Sequence, residues 1–166
     1  MKRVLTLLIV ICTHWQISAQ NASIEEAHEL LSEGYLEEAL DMFNDLHADN
    51  TNNAEFFFLR GSCLSELGEN EKAITDFNVS ISLDNQNADA YYQRGFARFT
   101  LGNSQEALKD FDQAITLSPT FGEAYLNRGT VQYDLGNSEA ACQDWQYALD
   151  VGLTLAQALI DQLCTD

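Results

Sequence analysis

The chain has 166 residues, of which 46% are hydrophobic, with 1 Pro and a formal net charge of −18. This apolar content and the scarcity of proline exclude an intrinsically disordered chain. The acidic charge repels phosphate backbones, and there is neither a basic patch nor a basic amphipathic helix, so we exclude nucleic acid and anionic membranes as partners. We interpret the charge as solvation of the outer faces, in preference to an acidic docking site for a basic partner.

The N-terminal segment has the pattern of a secretory signal peptide. Lys2 and Arg3 precede an apolar run, residues 4–12, and the segment ends at Ala19. The run is shorter than the roughly 20 residues of a membrane-spanning helix, and no later stretch qualifies. We therefore expect cleavage after Ala19 and export of residues 20–166 to the periplasm or the extracellular medium, with no membrane insertion after cleavage.

Two other interpretations of this segment stay open. Cys12 suggests a lipid anchor, but lipoprotein signals have a small residue before the modified cysteine and Ile11 stands there; we therefore prefer plain cleavage. The second alternative is an uncleaved anchor. Cleavage would remove 2 of the 8 basic residues and none of the 26 acidic ones, leaving 6 against 26 and a charge of −20.

A period of about 34 residues organises the rest of the chain. Four kinds of position recur at this spacing: a first glycine (Gly61, Gly95, Gly129), a second glycine (Gly34, Gly68, Gly102, Gly136), an alanine (Ala39, Ala73, Ala107, Ala141) and an aromatic residue (Phe43, Phe77, Phe111, Trp145). Apolar residues recur at helical spacing before and after the second glycine, so each unit predicts two amphipathic helices joined by a glycine turn.

Residues 88–121 show the unit most clearly. Gly102 stands at the predicted turn, and we expect Ser104 to cap the second helix. Gly95 lies inside the first helix, where glycine costs about 1 kcal/mol relative to alanine. We therefore expect a packing role for Gly95, namely a close approach of Ala107 from the facing helix.

This pattern resembles the tetratricopeptide repeat family, whose unit of about 34 residues forms two antiparallel helices. The resemblance implies an all-α fold, a right-handed α-α superhelix (solenoid) of helix hairpins that serves as a protein-binding scaffold. Within it we expect helices near 54–67, 71–84, 88–101, 105–118, 122–135 and 139–150.

We divide the chain after the signal peptide into a single domain, residues 20–166. Its parts are a degenerate repeat at about 20–53, strong repeats at 54–87, 88–121 and 122–155, and a C-terminal capping helix at about 153–164. We expect the apolar face of the cap, formed by Leu155, Ala158, Leu159 and Leu163, to cover the exposed end of the last repeat.

Arginine precedes the first glycine in each strong repeat, and aspartate precedes the second-helix aromatic. Antiparallel packing brings the two positions to similar height, which predicts three ion pairs, one inside each hairpin: Arg60 with Asp76, Arg94 with Asp110, and Arg128 with Asp144. The alternative is a row of three arginines that binds an acidic ligand.

The family resemblance also implies a binding groove, because first helices line the concave face of such arrays. The matching residues are Phe58, Ser62, Ser65, Tyr92, Phe96, Phe99, Leu126, Thr130 and Tyr133. Family members that clamp the acidic tails of cytosolic heat-shock chaperones use Lys and Asn at such places, and this chain has neither. We therefore expect an extended or helical peptide with apolar anchors and basic flanks. The alternative is that the aromatic residues belong to the core, with Phe99 and Tyr133 packed against the next repeat.

Export would place the cysteines in an oxidising compartment. Cys142 and Cys164 lie roughly 15 and 18 Å from the turn at Gly152, so an antiparallel hairpin brings them to nearly the same height and allows a disulfide. The alternative is two free thiols on different helix faces. Cys63 is expected to be a small core residue.

Catalysis finds no support in the sequence, which has no nucleotide-binding or nucleophile motif. His28 and His47 stand at no metal-ligand spacing, and we expect no cofactor and no metal. The predicted function is an exported module that binds a peptide or protein partner on its concave, aromatic-lined face. The alternative is a self-associating structural protein of the cell envelope, and the oligomeric state stays open.

Overall fold

The computed structural model describes residues 23–164. Its elements are all helical: α1 at 23–33, α2 at Leu36–Leu46, a short 3-10 helix at His47–Asp49, α3 at Ala54–Glu66, α4 at Asn70–Leu83, α5 at Ala88–Thr100, α6 at Ser104–Leu117, α7 at Gly122–Asp134, α8 at Ser138–Asp150 and α9 at Ala156–Leu163.

The prediction of an all-α helical repeat is confirmed. Helices α3 to α8 begin and end within one residue of the predicted bounds. The described residues contain no strand. The predicted signal peptide lies outside the described residues.

Each hairpin turn depends on a glycine in the left-handed region of φ. Gly102 has φ +79°, and the N–H of Asn103 donates to the carbonyl of Arg98 at 2.9 Å, the bond that closes a Schellman motif. The expected cap at Ser104 is wrong: Ser104 is the first residue of α6, and the N-cap position belongs to Asn103, whose side chain makes no capping bond.

The first helices of two strong repeats begin at an asparagine cap. The side-chain oxygen of Asn53 accepts from the N–H of Phe56, and that of Asn87 accepts from the N–H of Ala90, each at 3.1 Å. These bonds satisfy a backbone donor that the helix itself leaves free, which defines where α3 and α5 start.

The helices stack in chain order, so the core runs along the array as successive clusters. Ile24, Ala27 and Leu31 of α1 pack in one cluster with Phe43 of α2 and Phe56 of α3. Further clusters join α3 to α4, α6 to α7 and α8 to α9. The first helices of the strong repeats also contact one another directly, α3 with α5 and α5 with α7. They therefore form a continuous surface.

The mid-helix glycines make room for aromatic rings. A Cβ on Gly95 would lie 3.0 Å from the ring of Phe111 and from Cβ of Asp110. At Gly129 the nearest atom would be Nε1 of Trp145, at 2.8 Å. The carbonyl oxygens of Ala73 and Ala141, which occupy the same repeat position as Ala107, are among the atoms nearest to Gly61 and Gly129. The contact between Gly95 and Ala107 stays a prediction, and the packing role of Gly95 rests on Phe111 and Asp110.

The cap helix is shorter than predicted and turned about its axis. Ala156 is fully buried, and Leu159, Ile160 and Leu163 pack with it against the α8 cluster. Leu155 is 67% exposed and Ala158 is exposed as well. The predicted apolar face was thus wrong at these two positions, since α9 begins only at Ala156 and presents a different stripe. No helix within residues 23–164 has the length and apolar character needed to cross a membrane.

Candidate functional site

Arginine and aspartate form a bidentate pair inside each strong hairpin. Nε and Nη2 of Arg60 donate to the carboxylate of Asp76 at 2.7 and 2.8 Å. The same two atoms of Arg94 bind Asp110 at 3.0 and 2.7 Å. This parallel geometry is what a planar guanidinium favours with a carboxylate.

The third hairpin repeats this pair between Arg128 and Asp144, at 2.8 and 2.6 Å. Hydrogen bonding to Asp144, opposed by burial and reinforced by Asp112, raises the pKa of Arg128. The structure thus brings together all six residues of the predicted ion pairs.

In the second and third strong hairpins the remaining guanidinium nitrogen reaches the preceding repeat. Nη1 of Arg94 donates to Oδ1 of Asn78 at 2.8 Å, and Nη1 of Arg128 donates to Oδ1 of Asp112 at 2.7 Å. The sequence analysis missed these contacts. The signal was present, because Asn78 and Asp112 occupy the same position in successive repeats and each precedes its arginine by the same interval.

These contacts leave the arginines little freedom to bind an external ligand. Their side chains are 14%, 14% and 20% exposed for Arg60, Arg94 and Arg128. Each guanidinium also lies over an aromatic ring of its own helix, 5.6 Å from Phe57, 5.4 Å from Tyr91 and 5.3 Å from Tyr125. The geometry therefore favours a structural role over the row of ligand-binding arginines.

We call the predicted groove residues of α3, α5 and α7 the first-helix face; they are Phe58, Ser62, Ser65, Tyr92, Phe96, Phe99, Leu126, Thr130 and Tyr133. Phe96 and Tyr133 are exposed, at 41% and 37%, and the others are half-buried. The hydroxyls of Ser62 and Thr130 donate to the backbone carbonyls of Phe58 and Leu126 in their own helices. Phe96, on the middle helix α5, is the most exposed apolar side chain of the face.

Tyr92 lies on α5, the middle helix of the first-helix face. Its ring lies 4.8 Å from Phe121 and 5.9 Å from Phe111, and its hydroxyl accepts from Nδ2 of Asn127 at 2.9 Å. Burial and the nearby charge of Glu123 raise the pKa of Tyr92, and the bond from Asn127 acts in the opposite direction. Tyr92 is therefore anchored by its neighbours on one side and accessible on the other.

Four further residues of the face contact the core. Phe58 lies 6.2 Å from the ring of Phe77. Tyr133 lies 5.7 Å from Trp145, inside its own repeat, although it keeps its exposed edge. Phe99 packs against the cluster that joins α6 to α7, and Leu126 against the cluster of α8 and α9. These contacts position the face on rigid helices.

A disulfide joins Cys142 of α8 to Cys164, directly after α9, with Cα atoms 5.8 Å apart. An open cleft of about 610 Å³ lies beside it, lined by residues of both helices, among them Tyr147 and Leu163. Cys63 is fully buried and its thiol donates to the carbonyl of Leu36 at 3.2 Å. Burial, followed by the charges of Glu66 and Glu37, raises the pKa of Cys63 to about 11.

The two histidines of the described residues, His28 and His47, are apart from this surface. His47 packs edge-on against Phe57, with ring centroids 5.7 Å apart, and His28 is exposed on α1. Between residues 23 and 164 no three His, Cys, Asp or Glu side chains are placed to hold a metal ion.

Hairpins of equal length, repeated at one fixed spacing and joined through the same glycine and arginine contacts, define a helical-repeat solenoid. Residues 88–121 match the family model Tetratricopeptide repeat, and residues 64–102 match a model described as TPR repeat. Residues 64–121 thus match tetratricopeptide repeat models, and residues 23–164 have the fold of a tetratricopeptide repeat array.

Solved structures of the same fold support this assignment. YrrB, described as a TPR protein with an unusual peptide-binding site, is 23% identical with a TM-score of 0.77, over 87% of this chain and 75% of that chain. MamA is 21% identical with a TM-score of 0.74, over 87% of this chain and 86% of that chain. The first TPR of Spaghetti (RPAP3), bound to the HSP90 peptide SRMEEVD, is 26% identical with a TM-score of 0.68, over 70% of this chain and 93% of that chain. A comparison with curated protein sequences gives no match.

Proposed function

We propose that this protein is a non-enzymatic interaction module that binds a peptide or protein partner on the first-helix face, the concave side of the array. The observation that carries the proposal is Phe96, a large apolar side chain that is 41% exposed on the middle helix of the face. Exposed aromatic residues held in place by their neighbours are the usual anchors of protein interfaces.

Two further observations support this function. The helices that form the face contact each other along the array, which provides an elongated surface of the shape that a peptide needs. YrrB and the RPAP3 domain, which share the fold, are described as a protein with a peptide-binding site and as a peptide complex.

The proposal includes export, with residues 1–19 as a signal peptide and residues 20–166 as one repeat domain. The disulfide between Cys142 and Cys164 supports it, since disulfides persist in oxidising compartments and are rare in the cytosol. Continuous packing from α2 through α9 supports a single domain.

The test is selection of random peptides, displayed on phage, against the immobilised protein. We expect selected peptides to carry apolar residues and to lose binding to the variant Phe96→Ala. The matched control is Leu155→Ala, because Leu155 is also exposed and apolar but lies before α9, outside the first-helix face. The control should bind as the wild type does.

Circular dichroism of both variants checks that helicity is unchanged. Failure to select any peptide, or equal loss of binding in both variants, would contradict the proposal. Concentration-dependent self-association in sedimentation, blocked by Phe96→Ala, would instead favour the self-associating structural protein.

A further inference from the structure

An acidic residue accompanies the first-helix face in each strong repeat. Glu55, Asp89 and Glu123 occupy the same position in successive repeats, and all three are exposed. Each stands three residues before a residue of the face, respectively Phe58, Tyr92 and Leu126, and residues three apart share one side of a helix. The negative charge of Glu123 contributes to the raised pKa of Tyr92, which places that carboxylate beside the face.

The three carboxylates of this acidic row have no ion-pair partner within the described range. None of the three carboxylates forms an ion pair or a side-chain hydrogen bond with residues 23–164. Five of the six Lys and Arg residues in that range are engaged by other carboxylates of the chain. The arginines on α3, α5 and α7, which could have compensated the row, bind Asp76, Asp110 and Asp144 instead.

The stabilising effect of acids at helix N-termini does not explain why these three acids keep the same position in every strong repeat. Glu71, Glu106 and Glu139 occupy the first turns of α4, α6 and α8 and supply the same favourable interaction with the helix dipole. They are also exposed, but their spacings differ, and they lie on second helices, away from the first-helix face.

The stacking of the helices sets the spacing of the row. Helices in contact have axes about 8–10 Å apart, and α3 contacts α5 as α5 contacts α7. We therefore expect an interval of about this size between consecutive acids of the row. An extended peptide advances about 3.3 Å per residue, so one repeat step corresponds to about three residues of peptide.

We propose that the partner segment bound on the first-helix face is basic, an extended peptide with Lys or Arg at about every third position and apolar residues between. The cations pair with Glu55, Asp89 and Glu123 while the apolar residues contact Phe96 and its neighbours. This inference rests on the proposed function and specifies the chemistry of the partner. It differs from our interpretation of the acidic charge as solvation alone, because these three charges follow the aromatic face.

The experiment uses fluorescence anisotropy with four synthetic peptides of equal length. The first has Lys at every third position with Leu and Ala between, and the second has the same composition with the Lys residues contiguous. The third and fourth carry Gln and Glu in place of Lys. We expect the first peptide to bind most tightly and the Glu peptide not to bind, with an affinity for the first that falls as salt is raised.

Two triple variants with equal changes of net charge identify the site. Glu55→Gln/Asp89→Asn/Glu123→Gln should weaken binding of the first peptide about tenfold, since three exposed ion pairs are lost. Glu71→Gln/Glu106→Gln/Glu139→Gln should change the affinity less than about twofold, because general attraction to an acidic protein affects both variants alike.

The outcomes separate this inference from the proposed function. If the Gln peptide binds as tightly as the first and Phe96→Ala abolishes that binding, the face binds peptides but the basic partner is refuted. Equal effects of the two triple variants also refute it, as does equal binding of the periodic and contiguous Lys peptides. If none of the four peptides binds, the inference fails, and the random-peptide selection decides the proposed function independently.

Discussion

Arg128 and Asp112 belong to different repeats, yet Nη1 of Arg128 donates to Oδ1 of Asp112 at 2.7 Å. The same guanidinium binds Asp144 of its own hairpin through its other two nitrogens. A planar fork of donors can serve two acceptors at once, which a lysine ammonium on a flexible stem does less well. One side chain thus holds a hairpin together and fixes its position against the preceding one.

The two partners of Arg128 should differ in their effect on stability. Asp112 is 60% exposed, so Asp112→Ala should lower the free energy of unfolding by about 0.2–1 kcal/mol. Asp144 is 8% exposed, and Asp144→Ala should lower it by about 3–5 kcal/mol, because a largely buried guanidinium loses its main partner. Urea unfolding measures both, with exposed Asp134→Ala as a control that changes little. Equal losses at Asp112 and Asp144 would contradict the assignment.

Two glycines of the last repeat, Gly129 and Gly136, should differ in whether alanine or asparagine is the better replacement. Gly129→Ala should destabilise by about 1–3 kcal/mol, since its Cβ would lie 2.8 Å from Nε1 of Trp145, which donates to the carbonyl of Leu126. Gly129→Asn should destabilise the protein more than Gly129→Ala does. Gly136 has open space but φ +85°, so Gly136→Ala is strained by about 1–2 kcal/mol and Gly136→Asn by less. Thermal unfolding of the four variants tests this order, and the same ranking at both sites would count against it.

The disulfide should stabilise the cap more than the array. Its half-cystines are 22 positions apart, and closing a loop of this size contributes about 3 kcal/mol in the chain-entropy model. Cys142→Ser/Cys164→Ser should lower stability by about that amount and speed hydrogen exchange in α9 before α5 or α6. A dithiol reductant should reproduce the effect in the wild type and leave the double variant unchanged. Slow exchange in α9 after reduction would show that packing alone holds the cap.

The thiol of Cys63 should make stability depend on pH in the alkaline range. Burial raises its pKa from 9.0 to about 11. The unfolded chain therefore loses this proton first, and the contribution is full below pH 9 and lost as pH rises towards 11. The free energy of unfolding should fall more steeply over this interval in the wild type than in Cys63→Ala. Mass spectrometry should find Cys63 unalkylated in the folded protein at pH 8; parallel pH curves, or rapid alkylation, would contradict the buried thiol.

Much of the fold could be predicted because it depends on short-range patterns. Apolar spacing, the glycine turns and the repeat period locate helices α3 to α8 to within one residue. The pairing of Arg94 with Asp110 follows from the same local geometry, since two antiparallel helices joined by a tight turn have only one register. These short-range patterns were sufficient to predict an all-α repeat fold.

The candidate site was harder to predict, because exposure depends on how one hairpin rotates against the next. Phe96 and Phe99 lie on one side of α5, yet Phe96 is 41% exposed and Phe99 packs against the cluster that joins α6 to α7 of the next repeat. The bond from Asn127 to Tyr92 crosses between repeats and has no signature in either helix alone.

The sequence by itself determined the helical repeat, the turns and the residues available for pairing, since these follow from backbone preferences and helical periodicity within a single repeat. Only the tertiary structure decided the second partner of Arg128, the stripe by which α9 packs and the aromatic residues left exposed. The physical reason is that these depend on contacts between repeats, where a small rotation of one hairpin changes which side chains meet.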